Sequence, residues 1–169
     1  VDHLLSLVDL SNIRPLKILV DAGNGMAGHT APAIFARLNC EVIPMYFELD
    51  GTFPNHEANP IDEKNLRDLQ KAVLEHGADL GLAFDGDADR VFVTDELGRG
   101  LSGSTTTGIL ATSMLRKSPG ATILHNLICS RAVPEVPEIR AIRSARQVDY
   151  RWREVDRQDR RHALVSEVD

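Results

Sequence analysis

The sequence lacks any apolar run approaching the ~20 residues needed to cross a bilayer, so no membrane-spanning helix is expected. Its start, Val1-Asp2-His3, has no basic stretch leading into an apolar one, and a Sec-type leader is not expected either. It also lacks a basic excess. Lys and Arg number 19 against 25 Asp and Glu, a net charge of −6, which disfavours a nucleic-acid binder that works by neutralising phosphates. Cysteine is scarce: Cys40 and Cys129 are far apart, in apolar surroundings and without partner spacing, which predicts two buried, reduced thiols in a cytoplasmic protein. None of the histidines has a partner at ligand spacing, so His56 and the others are read as structural or surface residues.

What is present is ordinary globular material: 169 residues, 43% hydrophobic and 26% charged, enough for one domain or one domain and part of a second. A chain of this size buries roughly 70% of its extended surface and needs no covalent staple. Short β-like runs alternate with helical stretches as far as Pro137. The strands are expected at Leu16–Val20, Glu41–Phe47, Leu80–Phe84, Val91–Val93 and Thr122–Leu124. Helices are expected at Thr30–Leu38, with Pro32 in the first turn, and after Asp62, where Leu66, Leu69, Val73 and Leu74 recur at helical spacing until Gly77. A further helix is expected at Thr105–Leu115, and Ser130 is expected to cap another. This alternation predicts an α/β fold, a mixed, mostly parallel sheet flanked by helices. Leu97-Gly98-Arg99-Gly100 reads as a turn and a domain boundary. From Glu138 onward the chain carries more than half of its arginines, no lysine and no glycine, which reads as a solvated helix, a disordered tail or a partner-binding arm.

Three motifs carry chemistry. Gly23-Asn24-Gly25-Met26-Ala27-Gly28 follows a strand, opens a helix and has Glu48 and Asp50 further on, the setting of a dinucleotide fingerprint; a turn that merely permits close packing is the alternative. Asp85-Gly86-Asp87-Ala88-Asp89-Arg90 sets three carboxylates at alternating positions. Unit charges 4 Å apart repel by about 4 kcal/mol at an effective dielectric near 20, so this spacing calls for a divalent cation. Asp85, Asp87, Asp89 and Glu96 fall at positions 1, 3, 5 and 12 of an EF-hand loop, but Arg90 stands where that loop requires glycine, and the flanks read as strands. Three oxygen ligands with vacant octahedral positions suit Mg²⁺, and Arg90 adds a bidentate phosphate donor. Mg²⁺ beside arginine points to phosphoryl transfer. The third motif, Asp50 to Pro60, is dense in turn formers and reads as a rigid ligand edge or a well-ordered turn.

Taken together, Val20–Gly28, Leu49–His56, Leu82–Arg90 and His125–Glu135 resemble the α-D-phosphohexomutase family, specifically its bacterial phosphomannomutase/phosphoglucomutase group. The resemblance runs from about Arg14 to Pro137, and the acidic hexapeptide is its specific element. It implies a four-domain cytoplasmic enzyme that interconverts hexose 1- and 6-phosphates through a phosphoserine and a bisphosphorylated intermediate. By that likeness Asp85, Asp87 and Asp89 hold Mg²⁺ and Arg90 is the catalytic residue beside the transferring phosphate. Residues 1–98 would be the second domain, 99–137 the opening of the third, and 138–169 an unassigned Arg-rich tail. The expected partners are a hexose phosphate and the enzyme's other domains, with neither nucleic acid nor membrane. No segment here matches the family's serine loop or sugar-binding motif, Ser104 follows Gly103 where many relatives place aspartate, and the tail does not match. The isolated chain is therefore expected to be inactive. A dinucleotide-binding module using Gly23–Gly28, and a non-catalytic interaction protein using the tail, are the alternatives.

Overall fold

The computed structural model describes residues 1–11, 13–119, 121–125 and 129–135, with backbone alone at 134–135, 142–144 and 164–166. Two compact units are present, Val1–Leu101 and Ser102–Asp169.

In the first unit, α1 (Asp2–Ser6) leads to β1 (Leu16–Asp21), α2 (Ala27–Phe35), β2 (Cys40–Met45), a 3₁₀ turn (Glu63–Leu66), α3 (Arg67–His76), β3 (Leu80–Phe84) and β4 (Val91–Asp95). The sheet order is β2-β1-β3-β4. β1 pairs parallel with both β2 and β3, placing Ile18 opposite Val42 and Leu80, and β4 closes the edge antiparallel to β3. This is the mixed, mostly parallel sheet that the alternating pattern predicts. The central strand is the apolar one: Ile18, Leu19, Val20 and Asp21 are all buried. Leu66, Leu69 and Val73 pack with Leu19, Ala78 and Ala83 in one cluster. A side chain at Gly81 would come within 2.9 Å of Leu69 and Val73, so the bare backbone of β3 is what lets α3 sit this close.

Several element boundaries differ from the sequence reading, each for a local reason. Helix α2 begins three residues early, directly on the glycine turn, so exposed Pro32 lies inside it and not in its first turn. Strand β2 stops at Met45 because Tyr46 adopts a left-handed backbone, φ +53°. Asp62 does cap a helical start, accepting from the Lys64 amide, but the first turn is 3₁₀. Gly77 ends α3 in the left-handed conformation. Leu74, expected on the apolar face, is 58% exposed. Strand β4 runs on to Asp95, opposite Leu80, and the turn after it folds back, with the Leu101 amide donating to the Val93 carbonyl.

In the second unit, Ser102 caps α4 (Gly103–Lys117) by accepting from the Thr105 amide. β5 (Ile123–His125) and α5 (Ala132–Glu135) follow, and Ser130 accepts from the Ala132 amide as a cap should. Ala111, Leu115, Ile123 and Val133 form the core, with Cys129 against it. Cys40 and Cys129 are free but half-buried, not fully buried. The reading of 138–169 as helix or disordered tail is corrected at two points: β6 (Ile142–Ser144) and β7 (Leu164–Ser166) flank β5 in parallel. Each contains one strand-favouring β-branched residue, Ile142 or Val165. The remainder of that stretch lies outside the described residues.

Replacing Leu69, fully buried on the sheet, with alanine is expected to cost about 3 kcal/mol in urea unfolding, against less than about 0.5 for the exposed Leu74→Ala.

Candidate metal centre

From β1 the chain moves to β2 on one side and later to β3 on the other. The carboxyl ends of β1 and β3 therefore flank the point where strand order reverses, where open α/β sheets bind ligands. The glycine turn leaves β1 there and the acidic loop leaves β3.

The acidic loop is a closed hairpin end. Asp85 and Arg90 bond through their backbones, and the Ala88 amide donates to the Asp85 carbonyl with Ala88 at φ +64°. Asp85 is 1% exposed, whereas Asp87 and Asp89 face solvent. Arg90 donates to both Asp85 oxygens, from its amide to Oδ1 at 3.1 Å and from Nε to Oδ2 at 2.7 Å, and Nε lies 3.4 Å from Asp89. Burial works against the Asp85 charge, but the amide and guanidinium of Arg90 outweigh it and hold the carboxyl below its ordinary range. Asp89 is pushed the other way, by sharing a hydrogen bond with Asp85, by desolvation and by the charges of Asp85 and Asp87.

One oxygen from each of Asp85, Asp87 and Asp89 lies within 4.8 Å of the others, the single such group among the described residues. Ligands at about 2.1 Å from one ion stand roughly 3 to 4.2 Å apart, so small side-chain rotations bring the three onto a shared cation. Each Asp85 oxygen keeps a lone pair after bonding Arg90. The donor set, all carboxylate oxygen and mutually repelling, fits a hard divalent ion. Glu96 is not in the group. It follows β4, whose five residues carry it about 17 Å from the loop, and the flanking strands exclude an EF-hand.

The glycine turn supports this loop. A side chain on Gly25 would start 2.7 Å from the Gly86 carbonyl oxygen, and one on Gly28 would overlap the Phe47 carbonyl. The Met26 amide donates to the Gly86 carbonyl at 2.9 Å, Gly25 to Ala22, Gly28 to Gly25, Asn24 to Tyr46 and Gly23 to Asp21 Oδ1. A pyrophosphate needs those amides and that space, so the dinucleotide reading fails.

The Asp50–Pro60 loop joins the same assembly. The Asp50 amide donates to the Asn24 carbonyl, and Asn55 donates to the Asn24 side chain. His56 was missed by spacing. Its Nε2 donates to buried Asp21 Oδ2 at 3.0 Å and its Nδ1 to the Glu57 carbonyl at 2.9 Å. Donation from both nitrogens makes the ring an imidazolium. The hydrogen bond to Asp21 raises its pKa to about 9 against the opposing effect of burial, aided by the Glu57 carbonyl and the charges of Asp21 and Asp68. The only sequence trace of this pair was an aspartate ending an apolar strand, which needs a buried partner.

Residues 1–98 match the phosphoglucomutase/phosphomannomutase α/β/α domain II family. The chain belongs to this family. It is 47% identical over 131 residues to a phosphomannomutase of Salmonella montevideo, covering 75% of the chain and 29% of that relative. It is 43% identical over 123 residues to a phosphomannomutase/phosphoglucomutase of Pseudomonas aeruginosa, covering 73% of the chain and 27% of the relative. A crystal structure of a phosphoglucomutase/phosphomannomutase family protein from Burkholderia thailandensis superposes with a TM-score of 0.78 at 33% identity, over 85% of this chain and 31% of that one. The chain thus spans under a third of the length of these family members.

Because the His56 pKa is higher folded than unfolded, its contribution to stability, about 3 kcal/mol, is complete below pH 6.5 and lost as pH rises through about 9. Urea unfolding of the chain between those pH values is expected to show this decline, and His56→Gln to flatten it.

Proposed function

We propose that the chain supplies the metal-binding domain of a phosphomannomutase/phosphoglucomutase, an isomerase that interconverts hexose 1- and 6-phosphates through a phosphoserine and a bisphosphorylated intermediate. Residues 1–98 are its second domain, 99–137 open the third, and 138–169 remain without an assigned role. The reading is carried by one observation: three carboxylates converge at the sheet's switch point with an arginine locked beside them.

Asp85, Asp87 and Asp89 would hold Mg²⁺, which when bound stabilises negative charge on a transferring phosphoryl group. Asp85 is the rigid ligand, buried and held charged, while Asp87 and Asp89 reach it from the solvent side. Arg90 is the catalytic residue. It is anchored through its amide and Nε, which leaves the Nη pair for bidentate contact with phosphate. Its guanidinium stays protonated, the hydrogen bond to Asp85 raising its pKa further against desolvation. The phosphoserine and the sugar-recognition groups come from other domains of the same enzyme, and the substrate is a mannose or glucose phosphate. Two free cysteines suit a reducing cytoplasm. Among the described residues no helix is long and apolar enough to cross a membrane. The acidic balance argues against a nucleic-acid partner.

The test is calorimetry with Mg²⁺ and a turnover assay on the purified chain. Mg²⁺ binding is expected, weaker by about tenfold or more in Asp87→Asn. Unchanged binding in that variant removes the loop from the reading. No hexose phosphate turnover is expected, and turnover by the pure chain would overturn the dependence on a serine from another domain.

A further inference from the structure

His56 is tied to the acidic loop through one short segment of chain. The segment around it, residues 50–60, meets the glycine turn at Gly23, where Ala58 Cβ and His56 Cε1 stand 3.2 and 3.3 Å from the place of a side chain. Phe53 and Ala58 of the same segment stand 3.5 and 3.8 Å from the corresponding place at Gly86. Bonds inside the acidic loop fix Asp85 and Arg90. The position of Gly86, between Asp85 and Asp87, is set from outside by Met26, Gly25, Phe53 and Ala58. The one ionic tie between that segment and the sheet is His56 to Asp21, with Asp21 fully buried and the His56 side chain 14% exposed. The groups facing His56 favour its charge: Asp21 at the end of β1, the Glu57 carbonyl, and the Tyr46 ring edge-to-face at 5.4 Å, whose hydroxyl donates to Asp68 on α3.

We propose that His56, gripping the buried carboxylate of Asp21, is a positioning residue for the acidic loop, holding the wall behind Gly86 so that Asp85, Asp87 and Asp89 converge on a divalent cation. This rests on the metal reading above. Reciprocity supplies a test by sign. If the imidazolium tightens cation binding, the cation must hold the proton on His56 by the same factor; direct repulsion by a dication in a merely structural arrangement would drive the proton off.

The experiment follows the ring nitrogens of His56 by NMR in the full chain, from neutral pH to about pH 10.5, past both expected midpoints, with and without Mg²⁺. Mg²⁺ affinity is measured by calorimetry alongside. The midpoint of the His56 titration is expected to rise by about 0.7 pH on saturation, the counterpart of about a fivefold coupling, and to stop responding in Asp21→Asn. His56→Gln, with its circular dichroism unchanged, is expected to bind Mg²⁺ about fivefold more weakly at neutral pH. Where that variant does not fold, the titration in the unsubstituted chain decides. A midpoint that falls or stays put while Asp87-dependent Mg²⁺ binding persists overturns this inference alone. Absence of Asp87-dependent binding overturns the metal reading and this inference together.

Discussion

A single backbone hydrogen bond, Met26 amide to Gly86 carbonyl, joins the two loops from which the candidate site is made, and it forms only because Gly25 has no side chain. Any Cβ at residue 25 would stand 2.7 Å from the Gly86 oxygen, closer than packed atoms tolerate, and would lift the acidic loop off the start of α2. The glycine turn is thus a seat for another piece of the same chain. Its amides, which in a nucleotide-binding domain would face a phosphate, are spent on protein carbonyls and on Asp21. The same constraint explains why α2 begins directly on the turn.

Around that seat the backbone is strained in a consistent place. The non-glycine residues with left-handed backbones among the described residues are Asn24, Tyr46, Phe53 and Ala88, and each lies in a loop at the carboxyl edge of the sheet. Such conformations cost roughly 1 kcal/mol apiece and persist only where surroundings over-determine them. Asn24 is held by four hydrogen bonds, with Tyr46, Glu48, Asp50 and Asn55, and Tyr46 by its contacts with His56 and Asp68. Local propensity yields here to the geometry of the loops, and this is where sequence-level rules for strands and helices break down.

That division accounts for what could be read in advance. The central strand of the first unit was legible because such a strand must be apolar on both faces, and Ile18–Val20 is. The acidic loop was legible because its carboxylates are neighbours in sequence, so their repulsion is visible without coordinates. The Asp21–His56 pair was not, since 35 residues separate its members and neither spacing nor composition joins them. Leu74 was misplaced because helical periodicity marks a stripe but not its edge: α3 turns that residue outward, where it meets Gly98 in the turn after β4. The end of β2 was missed because nothing in the sequence around Tyr46 announces a left-handed residue.

The electrostatics of the acidic loop show a site built to unequal degrees. Asp85 has both oxygens engaged by Arg90 and stays charged despite burial, so its position is settled before any cation arrives. Asp89 has its carboxyl pushed above the ordinary range, first by the hydrogen bond it shares with Asp85 and then by desolvation and the charges of Asp85 and Asp87, so a cation entering there would relieve that repulsion. Arg90 meanwhile offsets part of the negative charge, which eases the repulsion within the loop but also weakens its pull on a cation. A loop arranged this way gains most when a second anion, such as a phosphate, can engage Arg90 as the cation settles among the aspartates. Cation and phosphate would then each improve the site for the other, which is the behaviour the proposed function requires of this loop.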